Sequence, residues 1–321
     1  MKTWIDFDAA PVFAIPLTDE VAGVTVCEGM LIEGPQGWGE FSPPAGSDAR
    51  RDGRWLTAAV EVGTVGWPDP VRGRVAAAVT VPSVGPDRAR GIVAEAGCRT
   101  AAVRVGEGPL AADIARVQAV RDALGAGGAI RCDANGTWNV TTAAAAIGAL
   151  DAAAGGCEFV AQPCRTLDDL AALRRRVDVP IAVDAALAAD RPDRALAEAA
   201  DVAVLDAGAL GGVRRALRVA EACGLPCVVA AGVHSSVGLC GGLALAGVLD
   251  DAGYAVALGG VRLLSDDLVS AGRTLIAVDG QLPVAPMPPA PDPDLLDRYA
   301  VRDPATLARW RRRLHDAQAY L

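Results

Sequence analysis

Short apolar runs alternate with polar turns and longer alanine-rich stretches along most of this chain, and in the longer stretches the apolar positions recur at helical spacing. The runs are AAAVTV (76–81), AAVRV (101–105), AIRCD (129–133), EFVAQ (158–162), IAVD (181–184), VAVLD (202–206), CVVAA (227–231) and YAVAL (254–258). Such a rhythm predicts βαβ units on a parallel sheet. Eight near-evenly spaced strands suit a closed α/β barrel better than an open doubly wound sheet, which usually carries a glycine-rich phosphate turn. No GxGxxG or Walker pattern occurs.

Residues 1–75 break the rhythm. Around VTVCEGMLIEGPQGWGEF (24–41) they read as twisted strands with turn glycines, followed by a helix over RWLTAAVEVGT (54–64), which predicts a separate capping domain. The barrel is expected over 76–272 and a C-terminal segment, returning to the cap, over 273–321. Within that segment TLIAVDG (274–280) reads as one more strand and PMPPAPDPD (286–294) as an extended linker. Asp303-Pro304 reads as the N-cap and first residue of a final helix.

Composition narrows the function. At 321 residues and 52% hydrophobic content the chain buries a large core, and a net charge of -9 speaks against a nucleic-acid partner. Arg311, Arg312 and Arg313 read as a solvated helix face rather than a binding patch. The eight cysteines contain no CxxC pair and read as packing residues. Charges in MKTWIDFDAA, and the lack of an uncharged stretch of membrane length, predict a cytoplasmic protein with no membrane partner. Lys2 is the only lysine.

Barrel enzymes gather their chemistry at the C-terminal ends of the strands. There the sequence places Asp133, Asp184 and Asp206, with Arg104 inside one strand and His234 in the loop AGVHSSVG (231–238). The ordered motifs GWGEF, TAAVRV, RCDANG, EFVAQPC, IAVD, AVLDAGALGG and SSVG span nearly the whole chain. In them it resembles the o-succinylbenzoate synthases of the enolase superfamily.

That resemblance implies a modified (β/α)7β barrel with an α+β capping domain built from both termini. It also implies a lysine base, a second lysine across the barrel, and Mg²⁺ on three carboxylates of consecutive strands. This chain departs at most of those positions. The lysine pair of TAKVKV is Ala102 and Arg104, the far lysine is Asp206, and the glutamate of EQP is Ala161. An arginine stays protonated and cannot serve as an ordinary base. Asp133 and Asp184 match two metal positions, so the sequence predicts no resident metal, or Mg²⁺ only if those two carboxylates suffice with water or a substrate oxygen. The loop DEVAGVT (19–25) also lacks the arginine of the family's FRGIT.

Other features survive. Gly211, Gly212, Ser235 and Ser236 match loops that, in the family, hold a substrate carboxylate on helix N-termini. The sequence therefore predicts an anionic or polar small-molecule substrate, held by those residues with Asp133, Asn135, Gln162 and Asp184. Asn135 and Gln162 also read as structural hydrogen-bonders, and Arg104 with Asp206 as an ion pair plugging the pocket. Arg104, Asp206 and His234 are the candidate catalytic groups. The leading expectation is a repurposed barrel that performs a metal-independent dehydration or cyclisation. The alternatives are a non-catalytic binding protein and an authentic o-succinylbenzoate synthase.

Overall fold

The computed structural model describes residues 5–188, 194–250, 252–284 and 287–321; Lys2 lies outside them. Strands β1 (Val12–Val21), β2 (Val24–Gly34) and β3 (Gly37–Phe41) form an antiparallel meander. Val21 pairs with Val24, so Ala22 and Gly23 alone make the first turn, with φ of 51° and 80°. Paired positive φ is what a tight two-residue hairpin needs. Helix α1 (Ala49–Thr64) follows, its first turn capped by the Asp48 side chain accepting from Arg51 N.

The chain then runs through β4 (Arg74–Ala76), β5 (Ala78–Val81), α2 (Pro86–Ala96), β6 (Thr100–Arg104), α3 (Leu110–Leu124), β7 (Ala129–Asp133) and α4 (Val140–Ala154). Next come β8 (Phe159–Ala161), α5 (Leu167–Arg174), β9 (Ile181–Asp184), α6 (Arg194–Ala199), β10 (Val202–Leu205), α7 (Ala207–Leu210), α8 (Val213–Cys223), β11 (Cys227–Val229) and α9 (Ser236–Val248). Strands β5 to β11 hydrogen-bond in sequence order as one parallel sheet. The sheet closes through Val256 and Ala257, whose amides donate to Ala76 O (2.7 Å) and Val229 O (2.8 Å). The fold is thus an α/β barrel with a capping domain.

YAVAL, expected as a full eighth strand, is reduced to these bridges. Gly253 turns the chain before it and a 3-10 turn at Gly259–Leu263 ends it. TLIAVDG is not a strand: Asp279 and Gly280 take left-handed φ of 52° and 70°, and the strand β12 (Gln281–Pro283) starts only after this turn, pairing with β4. Part of the expected linker is helical. Asp292 caps α10 (Pro293–Arg298), the same Asp-Pro signal that starts α11 (Pro304–Gln318) at Asp303.

Helix α11 returns to the cap. Trp310, Leu314 and Ala317 join Val12, Met30, Ile32, Phe41 and Leu56 in one core, with the Phe41 and Trp310 rings edge to face at 6.1 Å. A larger core lies between barrel strands and helices, while Phe159, Ala182, Val202 and Val228 fill the barrel interior. All eight cysteines are free thiols.

Candidate active site at the barrel mouth

Strand alternation decides which side chains reach the barrel interior. On β6 to β9 the inward set is Ala102 and Arg104, Arg131 and Asp133, Phe159 and Ala161, and Ala182 and Asp184. Arg104 and Asp133 are register partners on neighbouring strands. Arg104 Nη1 lies 3.0 Å from Asp133 Oδ2, and its Nε 3.4 Å from Glu107 Oε1. Although close to the carboxylate, Nη1 has no aligned hydrogen-bond acceptor. The other Asp133 oxygen accepts from Asn135 N at 3.0 Å.

Asp184 Oδ1 accepts from Ala186 N (2.9 Å). Desolvation, reinforced by the charges of Asp206 and Asp133, pushes its carboxyl up to about 6. Asp206 caps α7, accepting from Gly208 N (2.8 Å) and Ala209 N (3.3 Å), and desolvation raises its pKa too. The expected Arg104–Asp206 pair is absent. Arg104 turns to Asp133 and Glu107, and Asp206 is committed to its helix cap.

His234 is buried on the cap side of the mouth. Its Nδ1 lies 2.9 Å from Ser42 Oγ and 3.1 Å from Glu40 Oε1, while its ring tilts against Trp55 at 5.2 Å. Nε2 has no hydrogen-bond partner among the described residues and lies 3.5 Å from where a Cβ on Gly232 would sit. Burial alone lowers the imidazole pKa, but hydrogen bonding to Glu40 and the charges of Glu40 and Asp206 outweigh it, so the net shift is upward. Gly208 is required here, because a Cβ on it would meet the Trp55 ring at 2.2 Å.

The loops expected to hold an anion already face carboxylates of the chain itself. Beside Gly211 and Gly212, Val213 N and Arg214 N donate to Glu61 of α1 at 2.6 and 3.2 Å. Ser235 donates through its hydroxyl and amide to Glu40, and Ser236 in the same way to Asp267. These helix N-termini therefore tie cap and loops to the barrel.

Asn135 and Gln162 carry positive φ, 48° and 43°. Gln162 spends its amide on Asp184 N and Cys164 O, whereas the Asn135 side chain is exposed. Sequence reasoning missed Glu40, Glu61, Asp267 and Trp55. Glu40 sits inside the GWGEF motif, which was its one available signal; the pairings of Glu61 and Asp267 join distant stretches that leave no local mark.

A cavity of about 510 Å³ opens between cap and barrel, lined by Val24, Val26, Ser42, Trp55, Asp206, His234, Trp310 and Arg313 among others. The Mg²⁺ implied by the resemblance does not fit the residues present. Ala161 offers no ligand, Asp133 is already paired with a cation, and among the described residues no group of three or more His, Cys, Asp or Glu could hold a metal ion.

Comparison with known proteins agrees with the fold. Residues 12–63 match the family described as Enolase N-terminal domain-like and residues 86–288 the Enolase C-terminal domain-like family. The o-succinylbenzoate synthase of Thermobifida fusca is 48% identical over 311 residues, covering 96% of this chain and 95% of that protein. That of Mycolicibacterium smegmatis is 41% identical over 91% of this chain and 90% of its own. Among solved structures, the L-Ala-D/L-Glu epimerase of Bacillus subtilis superposes with a TM-score of 0.72 at 23% identity, covering 91% of this chain and 98% of that one. The muconate lactonizing enzyme of Pseudomonas putida gives 0.72 at 19% identity, covering 93% and 99%.

Proposed function

The chain belongs to the o-succinylbenzoate synthase family of the enolase superfamily, and from that membership we propose that it is itself an o-succinylbenzoate synthase. The reaction is a lyase step in menaquinone synthesis: a cyclohexadiene carboxylate loses water and becomes aromatic. One observation carries this reading, the 48% identity that runs almost end to end with a synthase. It ranks the synthase above a retargeted barrel, while keeping the dehydration chemistry expected from the sequence. The substrate is a small anion, no nucleic acid takes part, and the setting is cytoplasmic; among the described residues no helix is long and apolar enough to cross a membrane.

The residues present support the following division of roles. Elimination needs a base for the proton α to the carboxylate and an acid for the departing hydroxyl. Asp184, with its carboxyl near 6, is ionised at neutral pH and basic enough to accept that proton. His234, held above its ordinary value and anchored through Nδ1, presents Nε2 as a donor. Arg104 holds the substrate carboxylate. No step uses a lysine or a metal.

A second reading is favoured by a specific observation: Ala102, Arg104, Ala161 and Asp206 stand at four positions where the family carries its chemistry. On that reading the protein binds the family's ligand without turning it over. The test is incubation of purified protein with the cyclohexadiene precursor beside the Thermobifida fusca enzyme. Formation of o-succinylbenzoate by both supports the proposal; product from the relative alone leaves the binding protein.

A further inference from the structure

We infer that the Arg104 guanidinium takes the place of a divalent cation at the barrel mouth, so that the site binds a carboxylate with no metal. The inference rests on the proposed function only for the identity of the ligand. Its cation half stands on the geometry of Arg104 and Asp133.

Register puts Arg104 directly beside Asp133, and Nη1 sits 3.0 Å from the carboxylate oxygen. The position is therefore already occupied by a fixed positive charge. Asp184 and Asp206 add negative charge to the same mouth, and Asp133 and Asp206 both act on Asp184. A cation there offsets repulsion among the three carboxylates.

A guanidinium also brings what a bare ion lacks, a planar set of N–H donors matched to a carboxylate. Nη1 is buried with no aligned acceptor within the protein, so its N–H stays unsatisfied until a turn of the side chain brings it to a ligand. The inward neighbours Ala102 and Ala161 end in methyl groups and offer no competing acceptor. At 17% side-chain exposure Arg104 is partly desolvated yet reachable.

Two titrations test this, each with thermal melting and circular dichroism to confirm folding. In the first, Mn²⁺ is followed by its electron paramagnetic resonance signal. Wild type is expected to leave the free-ion signal unchanged to millimolar concentration, and R104A/A161E, which removes the cation and adds a third carboxylate, to bind at least about tenfold tighter. Tight Mn²⁺ binding by wild type overturns the inference, as does the absence of any gain in a folded R104A/A161E.

In the second, o-succinylbenzoate and benzoate are titrated calorimetrically in excess EDTA. Wild type is expected to bind, and R104M to bind about tenfold more weakly, the loss of one charged hydrogen bond. Equal affinity in R104M, or binding of neither ligand to wild type, overturns the inference. Binding of benzoate but not o-succinylbenzoate, lost in R104M, sinks the synthase reading and leaves this one standing.

Discussion

Two arginine–carboxylate pairs lie inside one barrel, and depth separates their roles. At the closed end Arg131 pairs with Glu158, donates to Ala255 O at 2.6 Å, and packs 4.8 Å from the Phe159 ring centre and 5.6 Å from that of Tyr254. Its side chain is 2% exposed. Only two residues further along β7, Asp133 faces Arg104 at the open end, where the two side chains are 40% and 17% exposed. The same chemistry is sealed in one place and addressable in the other. Because ridding water from an ion pair costs about what the pair regains, the deep pair plugs the barrel floor, and the shallow one is left to meet a ligand.

The sharpest way to break this comparison is to remove the arginines singly. Arg131→Met strands Glu158 beside an apolar floor and should cost about 3 kcal/mol of unfolding free energy, read by urea titration. If it costs no more than the mouth substitution, depth is not what divides the pairs.

Asp184→Asn should act in the opposite direction. Its carboxyl is raised from 3.8 to about 6, so the folded state resists ionisation, and stability falls as pH climbs from about 4 through about 6 and stays lower above. The variant should flatten that fall and gain at most about 3 kcal/mol at pH 8. A pH-independent wild type would refute the shift.

Glu40→Gln should lower the pKa of His234 in an NMR titration, where only one other histidine, His315, competes for assignment. The sign is that of a histidine held protonated. His234 contributes stability below pH 6.5 that is lost as pH rises through its folded value, and the variant should lose part of it. Arg104→Met carries the smallest stability effect, about 1 kcal/mol, since the Asp133 carboxylate it leaves behind is 40% exposed and partly hydrated.

How much of this was legible beforehand follows the range of the interactions. IAVD and AIRCD predict β9 and β7 to the residue, because apolar runs and turn signals are local. Asp303-Pro304 marks the start of α11 for the same reason. YAVAL and TLIAVDG mislead because their fates are set by turns at Gly253, Gly259 and Asp279-Gly280, and an apolar run does not encode how far it pairs.

At the site, Arg104, Asp133, Asp184, Asp206 and His234 were all visible as residues. Their partners were not. Asp206 pairing with its own helix instead of Arg104, and Glu40 reaching His234 and Ser235 from the far side of the chain, depend on three-dimensional register. Glu61 and Asp267 at the helix N-termini belong to the same class.

The central claim is that this mouth works through its own cation. The most direct measurement is the rate of o-succinylbenzoate formation from the cyclohexadiene precursor by protein stripped of metal and held in excess EDTA, beside the same protein supplied with Mg²⁺. Equal rates are predicted. Turnover that appears only with Mg²⁺, or in neither condition, would contradict the account.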